Sequence, residues 1–203
     1  MTKVSVLNYG IGNLKSVVRA LEHVGADLTI ITDAAEVRAA DRLVLPGVGA
    51  FSHCTGRLRE LGLWDALSDY VAGERPFLGI CVGMQLMMQA SEEFGLHEGL
   101  GLVQGRVARL PDELGQKIPM VGWKTTTPCA PSALLPQGEN PSFYFVHSFA
   151  ATGVPPESVL ATYRYGASDI VAAVGTGTKF GTQFHPEKSG RAGLALLERF
   201  VAL

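Results

Sequence analysis

The chain of 203 residues has little with which to build a disulfide framework, grip nucleic acid or cross a membrane. Its cysteines are Cys54, Cys81 and Cys129, and an odd, scattered set of three suits neither bridges nor a metal cluster. Such usage fits a reducing compartment, the cytoplasm. Charge is sparse and balanced, with 17 Lys and Arg against 19 Asp and Glu and a net charge of -2. No basic field is present for a polyanion, which argues against a nucleic-acid partner. No apolar run approaches the ~20 residues of a membrane-spanning helix, so no membrane role is expected. The opening stretch Met1–Leu7 is too short in apolar length for a signal peptide and reads as a first strand. Repeats and low-complexity tracts are absent. The histidines are scattered and no phosphate-binding loop is complete, so neither a metal nor an organic cofactor is expected. What the chain does have is apolar mass: 47% of residues are hydrophobic and 18% charged. That suffices for a substantial core in a single domain, 1–203.

The most informative stretch runs from Arg75 to Met88, with Cys81 at its centre and Gly79 and Gly83 two residues to either side. A short apolar run ends at the cysteine, and a Met/Leu/Gln-rich helical pattern follows. This is the form of a strand, a sharp turn and a helix with a nucleophile at the tip, more often written with serine. The glycines lack a Cβ and let strand and helix approach. The helix start favours thiolate over thiol. Cys81 by itself equally suits a buried small hydrophobe at a strand end, so the choice rests on whether a base lies elsewhere.

The first half alternates short apolar runs with helical periodicity. Val4–Leu7, Leu28–Ile31, Arg42–Leu45 and Phe77–Ile80 read as strands. Leu14–Val24, Ala34–Ala40, Thr55–Leu61 and Leu63–Ala72 read as helices, the first stopped at Gly25. Alternation of this kind predicts a doubly wound α/β fold, a mostly parallel sheet flanked by helices. Asn8–Asn13 carries a G-x-G without the third glycine of a dinucleotide fingerprint, and reads better as a strand-end turn with Asn13 as an N-cap. Pro46–Gly49 is a glycine loop whose N–H groups suit an oxyanion hole if a nucleophile is near. Ligands bind at the carboxyl edge of such a sheet, where all three loops fall. The second half predicts strands at Leu102–Leu110, Ile118–Trp123, Ser142–Val146, Val159–Tyr165, Ile170–Val174 and Lys179–Phe184, as mixed or antiparallel additions separated by loops such as Pro128–Pro141. A helix over about Ala192–Val201 closes the chain.

His185-Pro186-Glu187 follows the last of those strands and so reaches the same edge as Cys81. In extended chain residues i and i+2 point the same way, which would set Glu187 beside His185 to fix its tautomer. Cys81, His185 and Glu187 are therefore the expected catalytic triad. His147 also ends a strand but has Phe149, not an acid, at i+2. His23, His53 and His97 read as packed or surface residues.

With these residues assembled, the chain resembles the class I, triad-type glutamine amidotransferases. Within them it resembles the glutaminase subunits of imidazole glycerol phosphate synthases. The likeness rests on Tyr9-Gly10-Ile11-Gly12-Asn13, Pro46-Gly47-Val48-Gly49, Gly79 through Gln85, Tyr144-Phe145-Val146-His147-Ser148 and His185 through Ser189. It implies a flavodoxin-like fold and hydrolysis of glutamine through a Cys81 thioester. Backbone N–H groups of Gly49 and Val82 would form the oxyanion hole. Gln85, Glu93, Ser148 and Phe149 would hold glutamine. Asn13, Trp123, Tyr144 and Lys188 would face a (β/α)8-barrel synthase partner in a heterodimer and pass it ammonia. Departures are Val82 where Leu is common, Phe149 where Tyr is usual, and Val121-Gly122-Trp123-Lys124 where the family usually has M-G-W-N. Two other readings stay open: the same glutaminase feeding another acceptor, such as a surface-sugar amidotransferase, and a non-enzymatic protein in which Cys81 is a redox sensor.

Overall fold

The computed structural model describes residues 2–112, 115–136 and 138–203; Met1 of the opening stretch and Gln137 of the Pro128–Pro141 loop lie outside the described residues. The first half runs β1 (Lys3–Leu7), α1 (Leu14–His23), β2 (Asp27–Ile31), α2 (Ala34–Ala39), β3 (Leu43–Gly47), α3 (Phe51–Glu60), α4 (Trp64–Ala72), β4 (Phe77–Cys81) and α5 (Val82–Gln85). The second half is mainly strand: β5 (Met88–Ser91), β6 (His97–Glu98), β7 (Val103–Arg109), β8 (Met120–Pro128), β9 (Ser142–His147), β10 (Phe149–Thr152), β11 (Val159–Tyr165), β12 (Ser168–Thr176) and β13 (Lys179–Thr182). It ends on α6 (Gly190–Ala202) after a 3-10 turn at Pro186–Lys188. Among the described residues no helix is long and apolar enough to cross a membrane.

Local chemistry explains several boundaries. The apolar face of α1 buries Val17, Ala20 and Leu21. The helix stops where Gly25 takes φ +84° and its N–H reaches Glu22 O, while the Ala26 N–H reaches Leu21 O; this paired closure wants glycine at the left-handed position. A capping box of Asp33 and Glu36 opens α2. Asn13 precedes α1, yet its side chain makes no cap hydrogen bond, contrary to the N-cap reading. Its amide is used elsewhere. Helix α3 begins at Phe51, four residues before the expected Thr55, although Ala50 offers no capping side chain. The cap comes from a distance: the Phe51 N–H donates to Glu93 Oε2 at 2.7 Å.

Nine strands form one sheet in the order β2-β1-β3-β4-β13-β12-β11-β8-β9. The five from β2 to β13 are parallel, and the remainder add antiparallel. Every residue of β3, β4 and β13 is buried, as central parallel strands covered on both faces must be. The doubly wound, mostly parallel sheet with antiparallel additions is thus as expected. A second sheet, β10-β7-β5-β6, was not expected. Its strands β5, β6 and β10 span only four, two and four residues, too short to leave an alternation signal. The helical pattern after Cys81 is also corrected. Helix α5 lasts one turn, and Met88 enters β5 to pair with β7; tertiary pairing overrides the helix preference of Met and Gln.

Candidate active site

Cys81 sits at the junction of β4 and α5 with φ +56° and ψ −109°. This conformation is costly for a residue with a Cβ and is held by its surroundings. The surroundings are glycine. A Cβ on Gly79 would fall on the Gly83 carbonyl and 2.7 Å from Met84 N, and one on Gly83 would fall on the Leu45 carbonyl oxygen. A Cβ on Gly47 would meet Gly83 N at 2.9 Å. The two glycines flanking the cysteine, with Gly47 of β3, allow the elbow to be drawn tight against the neighbouring strand.

His185, the expected base, follows β13. The chain leaves that strand with the Gln183 N–H on Ala172 O, then passes to β9, where the His185 N–H meets Tyr144 O at 2.9 Å. Ser189 locks the turn: its hydroxyl donates to His185 O at 2.6 Å and accepts the Tyr144 N–H at 3.0 Å. Alternation sends Phe184 into the core, where it stacks on Phe143 at 3.8 Å between centroids. Gln183 and His185 are thereby turned to the opposite side, toward Cys81.

His185 Nδ1 donates to Glu187 Oε1 at 2.8 Å, and both side chains are almost fully buried. Glu187 does not reach it through extended chain, as expected, but from the 3-10 turn Pro186–Lys188. The same Glu187 oxygen accepts from Asn13 Nδ2 at 3.1 Å. Asn13 therefore steadies the acid. His185 Nε2 is buried without a hydrogen-bond partner among the described residues. Burial opposes the charged imidazole, but interactions with Cys81 and Glu187 together outweigh it and lift the His185 pKa to about 9. The imidazolium is thus favoured beside the sulfur.

His147 is no rival base. Its Nδ1 bonds Phe149 O at 2.9 Å and its Nε2 bonds the Tyr163 hydroxyl at 3.0 Å. Burial pushes its pKa down to about 4, so it stays neutral with both nitrogens engaged.

Cys81 and His185 open into a cavity of about 270 Å³ that Gly49, Val82, Gln85, Glu93, Ser148 and Phe149 also line. That is small for a ligand pocket and suits a molecule of amino-acid size. Gln85 is buried, and its Nε2 serves Phe149 O at 3.0 Å and Gln183 Oε1 at 3.1 Å. Both amide protons are committed, so its oxygen is the group left for a ligand. Gly49 has φ +85°, and the preceding Val48 carbonyl accepts from Cys54 Sγ at 3.6 Å. Burial pushes the Cys54 pKa to about 11, so it remains a thiol able to donate.

Trp123, Tyr144 and Lys188 lie outside this cavity as one surface cluster. Trp123 is 56% exposed and meets the Tyr144 ring edge-on at 6.1 Å. Lys188 Nζ stands 5.8 Å from the same ring. Val121 and Val146 extend the exposed apolar face. Gln183, Ser189 and the acid-holding role of Asn13 were missed from sequence. Gln183 had a usable signal, because it stands two residues before His185 on the same strand face.

Comparison with known proteins gives the family. The sequence model of the glutamine amidotransferase class-I family matches residues 5–203. The imidazole glycerol phosphate synthase subunit HisH of Herpetosiphon aurantiacus is 46% identical over 203 residues, covering 98% of this chain and 94% of the relative. The subunit of that name from Geobacillus thermodenitrificans is 44% identical, covering 100% and 97%. The one from Synechococcus sp. is 43% identical, covering 98% and 93%. Among solved structures, a glutamine amidotransferase superposes with TM-score 0.73 at 21% identity, covering 98% of this chain and 99% of the other. PurLQS from Thermotoga maritima gives TM-score 0.73 at 18% identity, covering 100% and 99%. Such distant likenesses speak to the fold, whereas the sequence match speaks to the family. With the family pattern matched from the first strand to the last residue, this chain belongs to the class-I glutamine amidotransferases.

Proposed function

We propose that this single domain is the glutaminase subunit of an imidazole glycerol phosphate synthase, working in the cytoplasm for histidine biosynthesis. The observation that carries the reading is 43–46% identity along nearly the full chain to proteins named as that subunit. In the mechanism, Cys81 thiolate attacks the side-chain amide carbon of glutamine. His185 takes the thiol proton and delivers it to the departing ammonia, while Glu187 orients the imidazole. Backbone N–H groups of Val82 and Gly49 take the tetrahedral oxyanion. Water then hydrolyses the glutamyl thioester and releases glutamate. The Gln85 oxygen and the Glu93 carboxylate accept from the substrate's ammonium, and backbone groups of Ser148 and Phe149 complete the pocket.

The ammonia passes to a (β/α)8-barrel synthase subunit in a heterodimer. Its docking face is the aromatic and cationic cluster of Trp123, Tyr144 and Lys188, together with Asn13, whose amide also bonds Glu187. Support comes from the exposure of Trp123 and its edge-on contact with Tyr144, aromatic residues being enriched at binding surfaces. The Pro46–Gly49 loop is the gate: the partner resets a peptide there to complete the oxyanion hole. The test is glutamine hydrolysis by the chain alone and then with the barrel subunit and its nucleotide ligand. Near-silence alone and a rise of orders of magnitude in the complex are expected. Absence of stimulation by a competent partner would overturn the assignment and redirect the search to another ammonia acceptor.

A further inference from the structure

Gln183 is fully buried, and its Nε2 lies 3.8 Å from Cys81 Sγ. The orientation of its amide can be worked out from one fixed point. The Phe149 backbone oxygen can only accept, so the Gln85 amide must turn its NH₂ toward it. The same Gln85 nitrogen faces Gln183, which must answer with its oxygen. Gln183 is then left with its NH₂ toward the sulfur. His147 obeys the same fixed point, donating from Nδ1 to Phe149 O and accepting the Tyr163 hydroxyl proton at Nε2. The polarity of this buried chain therefore runs without conflict from the pocket wall to the nucleophile.

A neutral thiol accepts hydrogen bonds weakly and a thiolate accepts them well. A buried amide donor facing sulfur is well satisfied only when the sulfur carries charge. We propose that Gln183 is a catalytic residue whose side-chain N–H donates to the Cys81 thiolate, with Gln85 and the Phe149 carbonyl setting its direction. The inference rests on the glutaminase reading for its chemical consequence. In acylation the S–C bond forms, the C–N bond breaks and the His185 proton leaves with ammonia. In deacylation water adds and gives a proton back to His185, the S–C bond breaks, glutamate leaves and the electron pair returns to sulfur, where the Gln183 N–H meets it. The donor thus acts both on the resting nucleophile and on the thiolate leaving group.

The test reads the sulfur directly. The rate of Cys81 alkylation by iodoacetamide, resolved by peptide mass, is followed against pH for the full-length chain and for Gln183→Met and Gln183→Glu. Folding is checked by circular dichroism. Loss of the donor should raise the pH of the alkylation limb by about one unit in Gln183→Met. The shift should be larger in Gln183→Glu, which sets a carboxylate beside the sulfur. With the synthase partner, kcat for glutamine should fall about tenfold in Gln183→Met, with KM within about twofold. A folded variant whose alkylation limb does not move overturns the proposal, because a packing role would lower turnover without touching the thiolate. If Gln183→Met does not fold, the limb of Gln183→Ala decides, because it too removes the donor and adds no charge. Alkylation needs no substrate, so an absence of glutaminase activity would sink the functional reading while leaving the Gln183 result legible.

Discussion

Replacing Gly83 by alanine tests whether the tight elbow holds the nucleophile. The new Cβ would fall on the Leu45 carbonyl oxygen and within 3.1 Å of its carbon. Both obstacles are backbone of a fully buried central strand, which cannot turn away as a side chain would. The elbow has to move by roughly an ångström, an overpacking that costs about 1–3 kcal/mol. In a domain of this size that lowers Tm by about 2–12 °C. A displacement of that order at the nucleophile costs on the order of 10²-fold in turnover. Gly56→Ala is the matched control. Gly56 lies within α3 with nothing inside 4 Å of its prospective Cβ. There alanine should stabilise by about 0.5–1 kcal/mol, because glycine loses more backbone freedom on folding. The assay is thermal unfolding alongside glutamine hydrolysis in the presence of the synthase partner. A Gly83→Ala protein with unchanged Tm and turnover within about twofold of the parent would refute the argument that close backbone approach positions Cys81.

Three further outcomes are expected. Asn13→Ala removes one of the two donors on Glu187 Oε1 and should lower kcat about tenfold; Asn13→Asp, placing like charge beside the acid, should be worse, and equal activity in both variants would exclude Asn13 from the catalytic hydrogen-bond chain. Because the His185 pKa is raised from 6.5 to about 9, kcat/KM should hold through neutrality and fall as pH passes about 9, when the proton owed to ammonia is lost. The sign for stability is the same: the folded state's advantage from a charged His185 is complete below 6.5 and gone above about 9, readable as a falling urea midpoint across that window; a rate limb at 6.5 would contradict it. At pH 8 iodoacetamide should modify Cys81, in its cavity, and exposed Cys129, but spare Cys54 until the protein is unfolded, since burial raises that thiol's pKa to about 11. Labelling of native Cys54, measured by peptide mass, would refute its assignment as the inert donor to Val48.

Some of this protein was legible before any coordinates. Helical periodicity at Leu14, Val17, Val18 and Leu21, and the apolar runs ending at Leu7, Leu45 and Cys81, depend on local spacing alone, so the alternating half and its carboxyl edge could be read directly. The glycines around Cys81 spoke for close approach because only glycine tolerates it. Local order was silent where distant groups decide. Glu93 caps α3 from 42 positions away, and Asn13 reaches Glu187 across 174. Strand β5 takes its form from pairing with β7 rather than from its own residues. The i, i+2 rule set Glu187 beside His185 for the wrong reason, because a 3-10 turn intervenes there. Read backwards along the strand, the same rule leads to Gln183. Residue types and local spacing thus determined the elements, the sheet edge and the chemistry available there. Which buried donors meet which acceptors was decided by tertiary packing, because a buried polar group must find a partner wherever the fold brings one within reach.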